Sequence, residues 1–166
     1  MLAADDRPGR AGTLVLGVGN TLYRDEGVGV AAATALAARK LPGIDVLDGG
    51  TLGLSLFAEV EGRDSLLLFD AVAGTGEPPG TVLVFGPEVA CKGLQLCLSA
   101  HQLGVPELLA TAALAGRAPQ RVLAVTMVPA SLELGLGLTA VAAGALGDMV
   151  ARGIGVLADW GVVGIA

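Results

Sequence analysis

Aromatic residues are scarce in this chain: one Trp, one Tyr and three Phe make up 3% of 166 residues. The core must therefore be built from Leu, Val and Ala, whose small side chains let helices pack closely on a sheet. Basic residues are few and scattered, ten against sixteen acidic ones, for a formal net charge of -6. Bare nucleic acid is gripped by clustered Lys and Arg, so nucleic acid is excluded as a partner. Only two cysteines occur, Cys91 and Cys97. Their spacing fits neither a zinc knuckle nor a C-x-x-C redox pair, which leaves two unpaired thiols in a reducing cytoplasm. Long charge-free runs are missing too. The charge-free run over residues 134–147 contains four glycines and falls short of the roughly 18–20 apolar residues that cross a bilayer. The opening residues 1–12 carry Asp5 and Asp6 and no apolar run, unlike a secretory signal. A soluble cytoplasmic protein without a membrane partner is expected.

What is present is an alternation of elements. The length suits one domain, expected over residues 13–160, with a frayed tail at 1–12 and a second tail at 161–166. Strands are expected at 13–18, 44–47, 65–69, 81–85 and 121–128. Helices are expected at 27–39, 52–61, 102–114 and 139–160. Pro42-Gly43 stops the first helix and Pro129 the last strand. Residues 48–51, Asp-Gly-Gly-Thr, read as a turn. The 73–80 connection is too short for a crossover helix, so the fourth strand is expected to run antiparallel. The pattern is that of a three-layer α/β sandwich on a mostly parallel, mixed sheet.

The most informative stretch reads LVLGVGNTLYRDEGVGV, from Leu14 to Val30. An apolar strand ends in a Gly17-Val18-Gly19 turn, and acids Asp25 and Glu26 follow where a helix begins. In open α/β sheets, ligands sit beyond the carboxyl ends of the strands. One reading is a nucleotide or small-molecule domain using the Gly17/Gly19 turn, with Asp48 placed to bind a ribose. Against it, Leu22 stands where the fingerprint needs its third glycine, and two carboxylates compete for the helix N-terminus that a pyrophosphate requires. The other reading is a metal-centred site. Glu26 follows the first strand, Asp70 caps the third, and His101, the only histidine, stands at the start of a helix with Ser99 as a possible N-cap. Two carboxylates and an imidazole suit zinc, nickel, manganese or iron and leave coordination positions open.

Five segments occur in order: GVGNTLYRDEGVG, LDGGTLG from Leu47, FDAV from Phe69, HQLG from His101, and the run from Val128 to Thr139. Together they resemble the maturation endopeptidases of nickel-iron hydrogenases, over roughly residues 13–145. The resemblance implies an aspartyl-type endopeptidase that removes a C-terminal peptide from the nickel-loaded precursor of the hydrogenase large subunit. It implies a three-layer α/β/α sandwich with a five-stranded mixed sheet, phosphorylase/hydrolase-like. It places the metal-contacting residues on Glu26, Asp70 and His101, with Asp48 a further catalytic candidate. The ion is nickel supplied by the substrate, for which zinc or cadmium can substitute, and no organic cofactor is expected. The glycine-rich apolar loop over 132–138 reads either as packing or as a surface that meets the precursor.

Overall fold

A computed structural model describes residues 12–86 and 104–164. Thr13–Val18 forms β1, Ile44–Gly50 β2, Ser65–Ala71 β3, Val82–Phe85 β4 and Arg121–Met127 β5. Val28–Ala37 is α1, Phe57–Val60 the single turn α2, Gly104–Leu114 α3 and Ala140–Asp159 α4. The sheet order is β2-β1-β3-β5-β4. The pairings of β1 with β2 and β3, and of β3 with β5, are parallel. β4 runs antiparallel on the outer edge of β5, as its short connection requires. It is not a neighbour of β3, because β5 inserts between them.

Strand residues alternate between two apolar layers. Val15, Leu67, Phe69, Val125 and Met127 face α1 and α4, where they meet Val28, Leu36, Met149 and Leu157. Leu14, Leu16, Leu66 and Leu68 face the other way, onto Leu56, Val60, Val105 and Leu108. β1 and β3 are buried along their whole length, the signature of central parallel strands. The expected three layers and five strands are therefore present. The helix α4 is long and apolar enough to cross a membrane by length and composition. Here Met149, Val150, Val156 and Leu157 pack into the core, and its outer side carries an Asp148–Arg152 ion pair.

Two strands run further than expected because their last residues pair, and one expected helix is broken up. β2 runs on through Asp48, Gly49 and Gly50, because Gly17 pairs with Asp48 and Val18 with Gly50 across a register shift. Asp48 is thus a strand residue and not part of a free turn. β3 likewise continues to Ala71, since Asp70 pairs with Thr126 and Ala71 with Met127. Asp70 lies within the strand instead of capping it. The helix expected over 52–61 is a 3-10 turn, Gly53–Leu56, followed by α2. At the ends of the domain, the Gly12 N–H donates to Asp64 Oδ2 at 2.8 Å, and Val163 is buried in the core.

Candidate active site

The crevice of interest lies at the carboxyl ends of the strands. From β1 the chain crosses through α1 to β2 on one side. From β2 it returns past β1 to β3 on the other. That reversal makes the β1/β3 edge the switch point where such sheets open a binding crevice. Glu26 and Asp70 flank it. Glu26 sits in the 3-10 turn Arg24–Gly27, which packs against β3. Asp70 is the penultimate residue of β3 itself. Both carboxylate-bearing residues are almost fully buried, at 4% and 6% exposure. Acids are seldom buried to this extent unless partners or ligands receive them. One Asp70 oxygen accepts the Ala71 N–H at 2.7 Å.

Close backbone approach sets the position of Glu26. Gly19 has φ +129, and a Cβ there would stand 1.8 Å from the Glu26 carbonyl oxygen. Only glycine fits. Gly29, one turn further on, lets the start of α1 rest on the carbonyls of Val18 and Phe69, 2.2 and 2.3 Å from where its Cβ would be. The same contacts dispose of the nucleotide reading. The Gly19 N–H already donates to the Gly50 carbonyl at 2.9 Å. The space a pyrophosphate would need above the turn is taken by the backbone of Glu26.

Around Glu26 the crevice is walled by Gly19, Gly50, Thr51, Gly53 and Gly104. Gly53 and Gly104 touch through their α-carbons, so a side chain on Gly104 would stand 2.5 Å from Gly53 Cα. This contact brings the start of α3 against the Gly53–Leu56 turn. His101, Ser99, Cys91, Cys97 and residues 1–11 lie outside the described residues. Among the described residues no three His, Cys, Asp or Glu side chains gather into a metal cage. Asp48 is exposed, and its Oδ1 accepts the Gly50 N–H at 2.9 Å, bracing the crevice rim.

Asp25 is the residue that sequence reasoning passed over. It is fully buried and accepts four hydrogen bonds from residues 130–139. The Ala130 and Ser131 N–H groups reach Oδ2 at 2.9 and 3.2 Å, the Thr139 hydroxyl reaches Oδ2 at 2.8 Å, and the Thr139 N–H reaches Oδ1 at 2.7 Å. Burial alone pushes a carboxyl pKa up. The donors from Thr139, Ala130 and Ser131 outweigh it and hold Asp25 below the usual carboxylate range. Beside this clamp, Leu22, Leu132, Leu134 and Leu136 are exposed, at 54%, 39%, 74% and 79%.

The model of the hydrogenase maturation protease family matches residues 30–156. The chain is 38% identical over 128 residues to the hydrogenase 2 maturation protease of Escherichia coli K12, covering 76% of this chain and 78% of that protein. It is also 38% identical over 152 residues to the hydrogenase expression/formation protein HoxM of Cupriavidus necator, covering 89% and 75%. Among solved structures, the hydrogenase maturating endopeptidase HybD from E. coli superposes with a TM-score of 0.83 at 31% identity, covering 90% of this chain and 93% of that one. The hydrogenase maturation protease HybD from Thermococcus kodakarensis gives a TM-score of 0.73 at 26% identity, covering 87% and 97%.

Proposed function

This chain belongs to the hydrogenase maturation protease family, and we propose that its substrate is the nickel-loaded precursor of a hydrogenase large subunit. It is a peptidase, and in this reading it removes the C-terminal peptide of that precursor. One observation carries the proposal: two buried carboxylates, Glu26 and Asp70, flank the β1/β3 switch point. Gly104, three positions after His101 in the sequence, lines the same crevice as Glu26. That supports His101 as the third member.

Carboxylate oxygens and an imidazole nitrogen suit a borderline divalent ion and leave room in its shell for other ligands. The ion is cargo of the precursor, held by the substrate and met by the protease. Its charge polarises the scissile carbonyl or lowers the pKa of the attacking water. Burial of Glu26 and Asp70 strengthens their attraction for a cation, because little water remains to screen it. A precursor without metal offers these acids no counter-charge, so metal loading licenses cleavage. Asp48, already bound to the Gly50 N–H, shapes the rim of the crevice. The exposed leucines at 22, 132, 134 and 136 give the large precursor an apolar landing beside the site. The reading places the reaction in the cytoplasm.

The test is incubation with nickel-loaded precursor followed by mass measurement of the product. Loss of a C-terminal peptide is expected, with metal-free precursor left intact. Glu26→Gln removes the charge while keeping the shape, and His101→Ala removes the imidazole. Both are expected to abolish cleavage while the protein remains folded. Uncut nickel-loaded precursor, or full activity in both variants, overturns the proposal.

A further inference from the structure

Glu26 does not hold its own position. The backbone ahead of it is shaped by a distant part of the chain. The Arg24 N–H donates to the Gly135 carbonyl at 2.9 Å, the Gly135 N–H to the Leu22 carbonyl at 2.8 Å, and the Asp25 N–H to the Ser131 carbonyl at 3.2 Å. Arg24 has φ +42, a left-handed conformation that a residue with a side chain keeps only when its surroundings impose it. Deleting the outside contacts would let this turn relax and carry Glu26 with it.

The Asp25 carboxylate is the centre of those contacts. Its four donors all come from residues 130–139. Thr139 supplies two of them and also caps α4, its hydroxyl accepting the Ala142 N–H at 3.3 Å while donating to Asp25. One carboxylate thus fastens the acid turn to the N-cap residue of α4. Gly19 closes on the carbonyl of Glu26 as well.

We propose that Asp25 is a positioning residue for Glu26, locking the 22–26 turn onto the 130–139 loop so that the Glu26 carboxylate meets the substrate metal in one fixed geometry. The proposal rests on Glu26 being a working group, as proposed above. An acceptor-only side chain is required here. An Asn amide would turn an N–H toward N–H or O–H donors and lose part of the clamp.

The test compares Asp25→Asn, Thr139→Val and Thr139→Ser with Glu26→Gln in cleavage of nickel-loaded precursor. Rates are expressed per folded molecule, with the folded fraction measured by circular dichroism. Asp25→Asn is expected to lower kcat about tenfold to a hundredfold, the scale of a misplaced reacting group, with KM unchanged. Thr139→Val is expected to fall less and in the same direction. Thr139→Ser keeps the hydroxyl and is expected to retain most of the rate. A tether that only stabilised the fold would leave kcat per folded molecule intact, and a docking role would raise KM alone. Either result in Asp25→Asn overturns the proposal. Should Asp25→Asn fail to fold, Thr139→Val decides by the same criteria. Full activity in Glu26→Gln would end the reading of Glu26 and the proposal together. An inactive Glu26→Gln beside a fully active Asp25→Asn ends the proposal alone.

Discussion

The ring of Phe69 fills the space where a side chain on Gly153 would stand, with Cζ only 2.4 Å from the position of its Cβ. Phe69 is fully buried in β3, immediately before Asp70. The absence of a side chain in α4 therefore lets the sheet and helix close together under the site. Gly155, two residues on in the same helix, faces open space.

Gly153→Ala and Gly155→Ala should consequently shift stability in opposite directions. The first overpacks the core against a ring that cannot swing away, at a cost of about 1–3 kcal/mol. The second gains helix propensity, roughly 0.5–1 kcal/mol. Urea unfolding midpoints check both. Equal shifts would show that the Phe69 contact does not constrain Gly153.

Gly19→Ala is expected to be among the most damaging single changes in the chain. Its φ of +129 strains any side chain, and the new Cβ would collide with the Glu26 carbonyl. A loss on the order of 3 kcal/mol or more, with precursor processing reduced to background, is the expected outcome. Thermal unfolding and a processing assay measure it. A variant with native stability would mean that Gly19 and Glu26 do not meet as described.

Acid should weaken the Asp25 clamp in a defined window. Its folded-state pKa is depressed by its donors. The stabilisation is thus complete above the ordinary carboxylate value of about 3.9 and fades as pH falls through it toward the lower folded value. Asp25→Asn lacks this dependence. The stability gap between native protein and variant is expected to be constant from pH 7 to pH 5 and to shrink below pH 4. A gap that stays constant throughout would refute the assignment.

The exposed loop leucines offer a control for the landing surface. Leu134 and Leu136 are 74% and 79% exposed, so the double change to Ser is expected to alter stability by no more than about 0.5 kcal/mol. A several-fold rise in KM for precursor, with kcat maintained, is the outcome that fits a docking role. An unaltered KM would remove these two residues from it.

Much of the scaffold was legible because short apolar strands and their spacing are local signals. β1 occupies the residues expected of it, and the direction of β4 followed from the length of one connection. Pairing was not legible. Asp48 and Asp70 belong to strands because neighbours two or three elements away capture them, and no local pattern announces that. At the site, Glu26 and Asp70 stood out as acids beyond strand ends in a charge-poor chain. Asp25 stood beside them with the same composition and none of the same visibility. Its task depends on donors in residues 130–139, more than a hundred positions away, and no local pattern announces them.

The clamp also orders events in time. Asp25 is 105 positions from Ala130 and 114 from Thr139. A nascent chain that has emerged from the ribosome as far as β4 already contains both acids of the crevice, yet it lacks the partners that set the first of them. The clamp therefore closes only once residues 130–139 have been made, more than a hundred positions after Asp25.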